Sequence, residues 1–237
     1  SGIRWISEDK IAAVQDEEGI IFIYNLKTNL VEKKISFGKS GDYEAITTAD
    51  STAYVMESSG LLFEVENYLS NNFETTEYQI PFSGRNNMES VVADTSNNRL
   101  LFTVKDIDPN SKDYKGIYAF DLETKKSNSL PVLKIPLDAP IFKSKDADDD
   151  IELFSNFFPS DIAIHPKTGH FYILEGKNPQ VLIMDSNGKL LKLHKLYEES
   201  FPQPEGITFA SDGTLYISNE GKSGTANILE VIFDEDK

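Results

Sequence analysis

The sequence predicts an all-β protein, specifically a five-bladed β-propeller of four-stranded antiparallel blades. The main observation is a repeat: similar strand–turn–strand segments begin at Ser1, Glu44, Glu89, Asp161 and Glu205. Most of these copies are 43 to 45 residues long, which is the usual length of a four-stranded propeller blade. Each copy also contains short apolar, β-branched runs bounded by turn residues, a pattern typical of strands.

The elements within a copy follow a fixed order. An acidic or small residue precedes Ile or Val in the first strand, and a turn such as Asp212-Gly213 leads to the second strand. Third strands are predicted at 20–24, 61–65, 116–120, 181–184 and 228–233. Fourth strands are predicted at 31–37, 76–82, 130–137 and 190–196. The last copy lacks an evident fourth strand, and we expect residues preceding Ser1 to supply it.

The third copy is longer than the others, at 72 residues. It contains two insertions, near 106–114 and 138–158, within a single domain that spans 1–237. A degenerate sixth blade in the second insertion is the alternative, but that segment contains few strand-forming residues. A β-sandwich is the competing fold, and it does not predict so long an internal period.

The composition excludes several classes of function. Lys and Arg number 23 against 39 Asp and Glu, for a net charge of −16, which opposes general binding to nucleic acid or to anionic membranes. The absence of cysteine excludes disulfides and zinc–thiolate sites. No apolar run is long enough to span a membrane, and we expect a monomer. His165, His170 and His194 match no standard ligand spacing, and no catalytic residue is assigned.

Acidic residues are predicted to gather at one mouth of the central channel. First strands begin at this mouth and second strands return to it, and both insertions lie on the same face. The candidate metal ligands at the starts of first strands are Glu44, Glu89, Asp161 and Glu205. Secondary candidates at the ends of second strands are Asp16, Glu57, Asp106, Glu175 and Glu220.

Crowded carboxylates have to be balanced by cations, by basic side chains or by proton uptake. Ca²⁺ is the expected ion, because it prefers oxygen ligands, and a cationic small molecule is the other expected ligand. Arg4, Arg85 and Lys105 could neutralise part of the ring. Alternatively, each carboxylate could accept backbone N–H groups of the next blade and act as a structural clasp.

Two acidic segments are interpreted as loops. The segment 106–113 starts like an EF-hand loop but has Ser111 and Ile117 where that motif requires Gly and Glu. The acidic run 146–150 is typical of a solvated loop.

Three segments resemble the SdiA-regulated family of bacterial β-propeller proteins: "PQPEGITFASDGTLYISNEG", "SGIRWISEDKIAAVQDEEGIIFIYNL" and "GDYEAI". The resemblance implies an exported protein of the bacterial cell envelope, periplasmic or lipid-anchored after removal of an N-terminal signal. It also implies a link to calcium and a comparison with five-bladed phytases, whose Ca²⁺ ions lie at a channel mouth. Carried over, it indicates the same four candidate ligands. The sequence departs from the pattern at Ser1, which is not acidic, and at Asp161-Ile162, which lacks the Gly.

The expected function is therefore that of a non-catalytic binding protein with an acidic channel mouth for Ca²⁺ or a cationic ligand. A metal-dependent hydrolase, phytase-like or lactonase-like, is one alternative. A scaffold that uses the two insertions to hold a protein of the cell envelope is the other. No nucleic acid is expected as a partner.

Overall fold

The computed structural model describes residues 2–145, 152–154, 156–221 and 225–233. Their strands form five antiparallel blades around one axis, and the inner strands of neighbouring blades contact one another in a closed ring. The five-bladed prediction is therefore confirmed, and the sandwich and the sixth blade are not found among these residues. The acidic run 146–150 lies outside the described residues. None of the described helices is long and apolar enough to cross a membrane.

The first two blades have four strands each, in sequence order from the channel outwards. The strands of the first blade are β1 (Ile3–Ser7), β2 (Lys10–Ala13), β3 (Ile20–Asn25) and β4 (Leu30–Ser36). Those of the second blade are β5 (Tyr43–Ala49), β6 (Thr52–Glu57), β7 (Leu61–Glu66) and β8 (Glu74–Gln79).

The third blade differs from the prediction at its outer position. Its strands are β9 (Val92–Asp94), β10 (Arg99–Thr103), β11 (Tyr114–Asp121), β12 (Lys126–Ser127) and β13 (Leu133–Pro136). Both β12 and β13 pair with β11, so two short strands replace the predicted strand 130–137. Pro131 lies between them, and a proline cannot donate a hydrogen bond to a ladder.

The second insertion and the last two blades complete the chain. The insertion forms a short 3-10 helix (Pro140–Phe142) and a hairpin, β14 (Lys143–Lys145) and β15 (Glu152–Phe154). The fourth blade contains β16 (Pro159–Ile164), β17 (Phe171–Glu175), β18 (Gln180–Met184) and β19 (Leu190–Lys195). The fifth contains β20 (Pro204–Phe209), β21 (Leu215–Asn219) and β22 (Asn227–Val231). As predicted, no fourth strand follows in the described part of the last blade.

The hydrophobic core lies between the blades, because neighbouring blades pack against both faces of each blade. The interface between the second and third blades, for example, packs Met56 against Phe102 and Tyr118. Every residue of strand Gln180–Met184 is buried, because neighbouring blades cover both faces of its sheet. Strands covered on both faces are continuous apolar runs rather than alternating ones. The side chain of Phe142 in the second insertion is also buried, packed against Phe157 with ring centroids 5.3 Å apart.

Hydrogen bonds between inner strands hold neighbouring blades in register. The Thr47 Oγ1 atom accepts the Ala93 N–H at 3.0 Å, which joins the second blade to the third. The Thr208 Oγ1 atom accepts the Trp5 N–H at 3.0 Å, which joins the last blade to the first. These bonds keep the inner strands aligned with one another, so that the strands begin at one common end of the channel.

Candidate functional site

β-Bulges at the starts of inner strands orient the candidate side chains. The register shifts between Tyr43 and Ala45 in β5 and between Pro204 and Gly206 in β20. The extra, unpaired residues are Glu44 and Glu205, and a bulge of this kind redirects a side chain out of the ladder. This irregularity places both carboxylates at the channel mouth.

The fourth blade has the same bulge, but its extra residue is Ser160, between Pro159 and Asp161. Asp161 therefore corresponds to Gly206 rather than to Glu205, and the sequence alignment was wrong by one residue. The cause is the following turn, which joins Ile164 to Phe171 in the fourth blade and is one residue longer than in the fifth.

The environment of Asp161 is that of a clasp between blades. Its side chain is 3% exposed. Its Oδ1 atom accepts the Ile162 N–H at 2.8 Å, and its Oδ2 atom accepts the Ile207 N–H of the next blade at 2.8 Å. Burial raises the pKa of Asp161, while the two N–H donors and the positive charge of Arg4 oppose that rise. The carboxylate is thus used to join the fourth and fifth blades.

The other three primary candidates lie in one electrostatic environment. Glu89 forms an ion pair with Lys105 at 2.5 Å and accepts a hydrogen bond from Asn87 at 2.8 Å. Burial alone would lower the pKa of Lys105, but the carboxylates of Glu89, Glu44 and Glu205 outweigh it and raise the pKa. The predicted neutralisation by Lys105 is therefore found in the structure.

Glu44 differs from its neighbours because its carboxylate has no bonded partner in the described part of the chain. Its half-buried carboxylate makes no hydrogen bond or ion pair with any residue that the structure describes. Burial and the negative charges of Glu89, Asp42 and Glu205 raise the pKa of Glu44 to about 8. Burial also raises the pKa of Glu89 to about 7, against the opposing effect of Lys105. Glu44 is therefore largely protonated at neutral pH.

Arg4 offsets part of the charge at Asp161 without bonding to it. The Arg4 side chain forms no hydrogen bond or ion pair within the described part of the chain, and its Nε atom is buried. Arg85 is exposed.

The secondary candidates have different environments. Glu175 is completely buried and accepts hydrogen bonds from Asn178 at 2.6 Å and Gln180 at 2.5 Å, so it serves the fold. Glu57 accepts a hydrogen bond from the hydroxyl of Ser59. Asp106 contributes its backbone oxygen to the ammonium group of Lys115.

Glu220 and Asp16 lie beside the mouth, on the side of the fifth and first blades. The side-chain N–H groups of Gln203 bond to Glu205, at 2.7 Å, and to Glu220. Burial, Glu205 and Asp16 raise the pKa of Glu220. The bridging role of Gln203 was not predicted, because an amide side chain between two prolines has no distinctive sequence signal.

The two insertions meet in a groove of about 330 Å³ on the same face. Ile107 from the first insertion and Phe158 from the second line this groove. Lys115 lies below them, nearly fully buried, with its ammonium 2.7 Å from the Lys105 carbonyl oxygen and 5.5 Å from the centre of the Phe158 ring. Burial lowers the pKa of Lys115. In the first insertion, Asp108 accepts the Gly116 N–H at 2.6 Å, as expected for a polar loop.

The histidines away from the mouth pack against aromatic rings. The ring centroids of His194 and Phe233 are 4.2 Å apart, and those of His165 and Phe209 are 4.8 Å apart. These two histidines have the structural role that their sequence context predicts.

Comparison with known proteins identifies a family and a fold. A family model described as SdiA-regulated matches residues 1–222. None of the curated proteins matches the chain.

Three solved structures illustrate the likeness of fold. A protein of unknown function from Bacteroides caccae is 12% identical with a TM-score of 0.52, over 94% of this chain and 73% of that one. A chain of a nidogen/laminin complex is 10% identical with a TM-score of 0.58, over 97% and 74%. Catalytically inactive virginiamycin B lyase from Staphylococcus aureus, with quinupristin, is 14% identical with a TM-score of 0.53, over 98% and 70%. At these identities the likenesses concern the fold alone.

Proposed function

We propose that this chain, which belongs to the SdiA-regulated family over residues 1–222, is a binding protein whose channel mouth takes a cation. The observation that carries the proposal is the Glu44 carboxylate, which is half-buried, has no bonded partner among the described residues, and lies in the field of the carboxylates of Glu89, Asp42 and Glu205, partly offset by Lys105. The resemblance of the sequence to bacterial family members supports an exported protein of the cell envelope.

A bound cation would replace the proton that Glu44 holds at neutral pH. A positive charge nearby favours the ionised carboxylate and lowers its pKa. Binding at neutral pH therefore releases a proton, and affinity rises as the pH increases towards and beyond about 8.

The arrangement of the carboxylates favours an organic ammonium over a tightly held metal ion. Among the described residues, no group of three or more His, Asp or Glu side chains is arranged to hold a metal. Ca²⁺ takes six to eight oxygen ligands, so the carboxylates that are present do not form its usual site. An ammonium group needs only two or three acceptors.

The test is a titration of the chelator-treated protein with CaCl₂, MgCl₂ and methylamine, followed by thermal unfolding and calorimetry. A ligand that binds only the folded state raises Tm as its concentration rises. We expect methylamine to raise Tm more at about pH 8.5 than at about pH 6, since a larger fraction of Glu44 is ionised at the higher pH. The double variant Glu44→Gln with Glu205→Gln should lose this response.

Glu66→Gln is the matched control, because this exposed glutamate lies on the second blade away from the mouth. A Ca²⁺-specific rise would support the ion expected from the sequence instead of an amine. Unchanged melting with all three probes at both pH values would contradict cation binding.

A metal-dependent hydrolase of a phosphoester or lactone remains the alternative. It would require a divalent ion to polarise the scissile group and activate water. No described feature favours it over simple binding. Turnover of a lactone or phosphoester only with added Ca²⁺, lost in the double variant, would support it.

The groove between the insertions favours a second candidate function, capture of a partner protein. Ile107 lines this groove and is 63% exposed, so a partner protein that fills the groove would bury this apolar side chain. We expect Ile107→Asp to abolish partner capture from an envelope fraction while leaving Tm unchanged. Leu130→Asp is the control, because Leu130 is equally exposed and lies outside the groove. Equal capture by both variants would contradict this role.

A further inference from the structure

A cleft of about 430 Å³ opens between the fifth and first blades, beside the mouth. One end is polar, with Asp16, Asn219 and Glu220, and the walls of the rest include Phe22 and Val31. The volume lies within the range of small-molecule sites, which are largely apolar with a few polar groups that fix orientation. No Lys or Arg is among the described residues that line it.

Two buried oxygen atoms near the polar end lack a hydrogen-bond donor. They are Oδ1 of Asn219, a lining residue that is 3% exposed, and Oε1 of Gln203, whose amide does not line the cleft but donates to Glu220, which does. Neither oxygen has a partner within the described part of the chain. A buried acceptor without a donor is destabilising, and such groups in native proteins are usually satisfied by water or a ligand.

The orientation of both amides is set by their other hydrogen bonds. The Nδ2 atom of Asn219 donates to the Ser200 oxygen at 3.3 Å and to Asn227 Oδ1 at 2.9 Å. The Nε2 atom of Gln203 donates to Glu205 and Glu220. Turning either amide round would set its oxygen against other oxygens, so the two unpartnered atoms remain acceptors.

The polar end therefore offers acceptors and negative charge, and the group that suits it supplies donors and positive charge. Gln203 links Glu220 to Glu205, so this end is continuous with the acidic mouth. The apolar walls beyond it suit a hydrocarbon or aromatic body. A bare metal ion would leave those walls unused.

We propose that this cleft binds an organic amine with an apolar body. The ammonium head bonds to Asn219 and Glu220, and the body packs against Phe22 and Val31. This assignment rests on the proposed function, because the carboxylates of the mouth supply the field that attracts the head.

Three probes separate the contributions of head and body. Methylamine carries the head alone, phenethyl alcohol carries the body without the charge, and phenethylamine carries both. By calorimetry on the whole chain, we expect phenethylamine to bind at least tenfold more tightly than either of the other two.

Variants then locate the body. Phe22→Ala combined with Val31→Ser should reduce the advantage of phenethylamine over methylamine to less than about threefold, with methylamine unaffected. Val132→Ser is the control for Val31→Ser. Val132 is 37% exposed and Val31 is 46% exposed, and Val132 lies outside the cleft. Glu220→Gln should weaken both amines.

Each contrary outcome has a distinct meaning. Equal affinity for the two amines would overturn the role of the cleft and leave cation binding at the mouth intact. Equal affinity for phenethylamine and phenethyl alcohol would overturn the cationic class of ligand. Failure of both amines to bind would overturn this inference, and failure of CaCl₂ and MgCl₂ as well would overturn the proposed function. The comparison of probes on the unmodified chain decides these points even where a variant fails to fold.

Discussion

Glu44→Gln is expected to remove part of the loss of stability that the protein shows between about pH 5 and pH 9, while other carboxyl groups with raised pKa values, such as Glu89 and Asp161, contribute the rest. The folded-state pKa of Glu44 is about 8 and its ordinary value is 4.5, so the folded protein holds a proton that the unfolded chain releases. The stability that this proton contributes is complete below the unfolded pKa and is lost as the pH rises through the folded pKa. Glutamine imitates the protonated form at every pH.

The measurement is denaturant unfolding of both proteins across this pH range. At about pH 5 the free energies of unfolding should agree. At about pH 9 the variant should be more stable by roughly 2 kcal/mol, a value already reduced for the solvent that reaches a half-buried carboxylate. This corresponds to a Tm difference of about 4–8 °C. The free energy of unfolding of Glu66→Gln should depend on pH in the same way as that of the unmodified protein. The same pH dependence in Glu44→Gln would contradict the burial of a protonated carboxyl group at Glu44.

Asp161→Ala is expected to destabilise the protein by roughly 3–5 kcal/mol. The change leaves two buried backbone N–H groups, those of Ile162 and Ile207, without an acceptor. Each such group costs about 1–3 kcal/mol. The second N–H belongs to the next blade, so the interface between the fourth and fifth blades is weakened as well.

Asp185→Ala is a matched control for this prediction. Asp185 also accepts two backbone N–H groups, from Asn187 and Lys189 at 2.9 Å each, but in an exposed turn. Water can replace the carboxylate there, so a much smaller loss than that of Asp161→Ala is expected. Chemical denaturation gives both values, and hydrogen exchange at the Ile207 amide reports the clasp directly. Equal losses for the two alanine variants would show that Asp161 is not a clasp.

The repeat made much of the architecture predictable. Turn residues such as Asp50 and Gly213 adopt positive φ angles, of 50° and 102°, because Asp and Gly tolerate that conformation better than most residues. Turn signals of this kind depend on a few consecutive residues, so they can be recognised without knowing which other parts of the chain lie nearby in the fold. The number of blades follows from the number of copies in the sequence, because each copy forms one blade.

The candidate site was predictable only in outline. The sequence placed Glu44, Glu89 and Glu205 at one mouth, and it offered two uses for these carboxylates, ligand binding or a clasp. The structure assigns the clasp to Asp161, and it shows no partner for the Glu44 carboxylate among the residues that it describes. In the fourth blade the residue that corresponds to Glu205 is Ser160, not Asp161. The turn of that blade is one residue longer, and for this reason Asp161 aligned with Glu205 in the sequence.

By itself, the sequence determined the strands, their turns, the five-fold repeat and the end of the channel at which acidic residues collect. These depend on the period of apolar residues and on turn chemistry, which are properties of short segments. Only the tertiary structure decided which carboxylates are bonded, which pKa values rise and which amide oxygens lack a donor. The reason is that partners come from other blades: the Asp161 carboxylate meets Ile207, and Thr208 meets Trp5 across the closure of the ring. Burial and hydrogen bonding are set by these distant neighbours, so the chemistry of the mouth depends on how the blades meet.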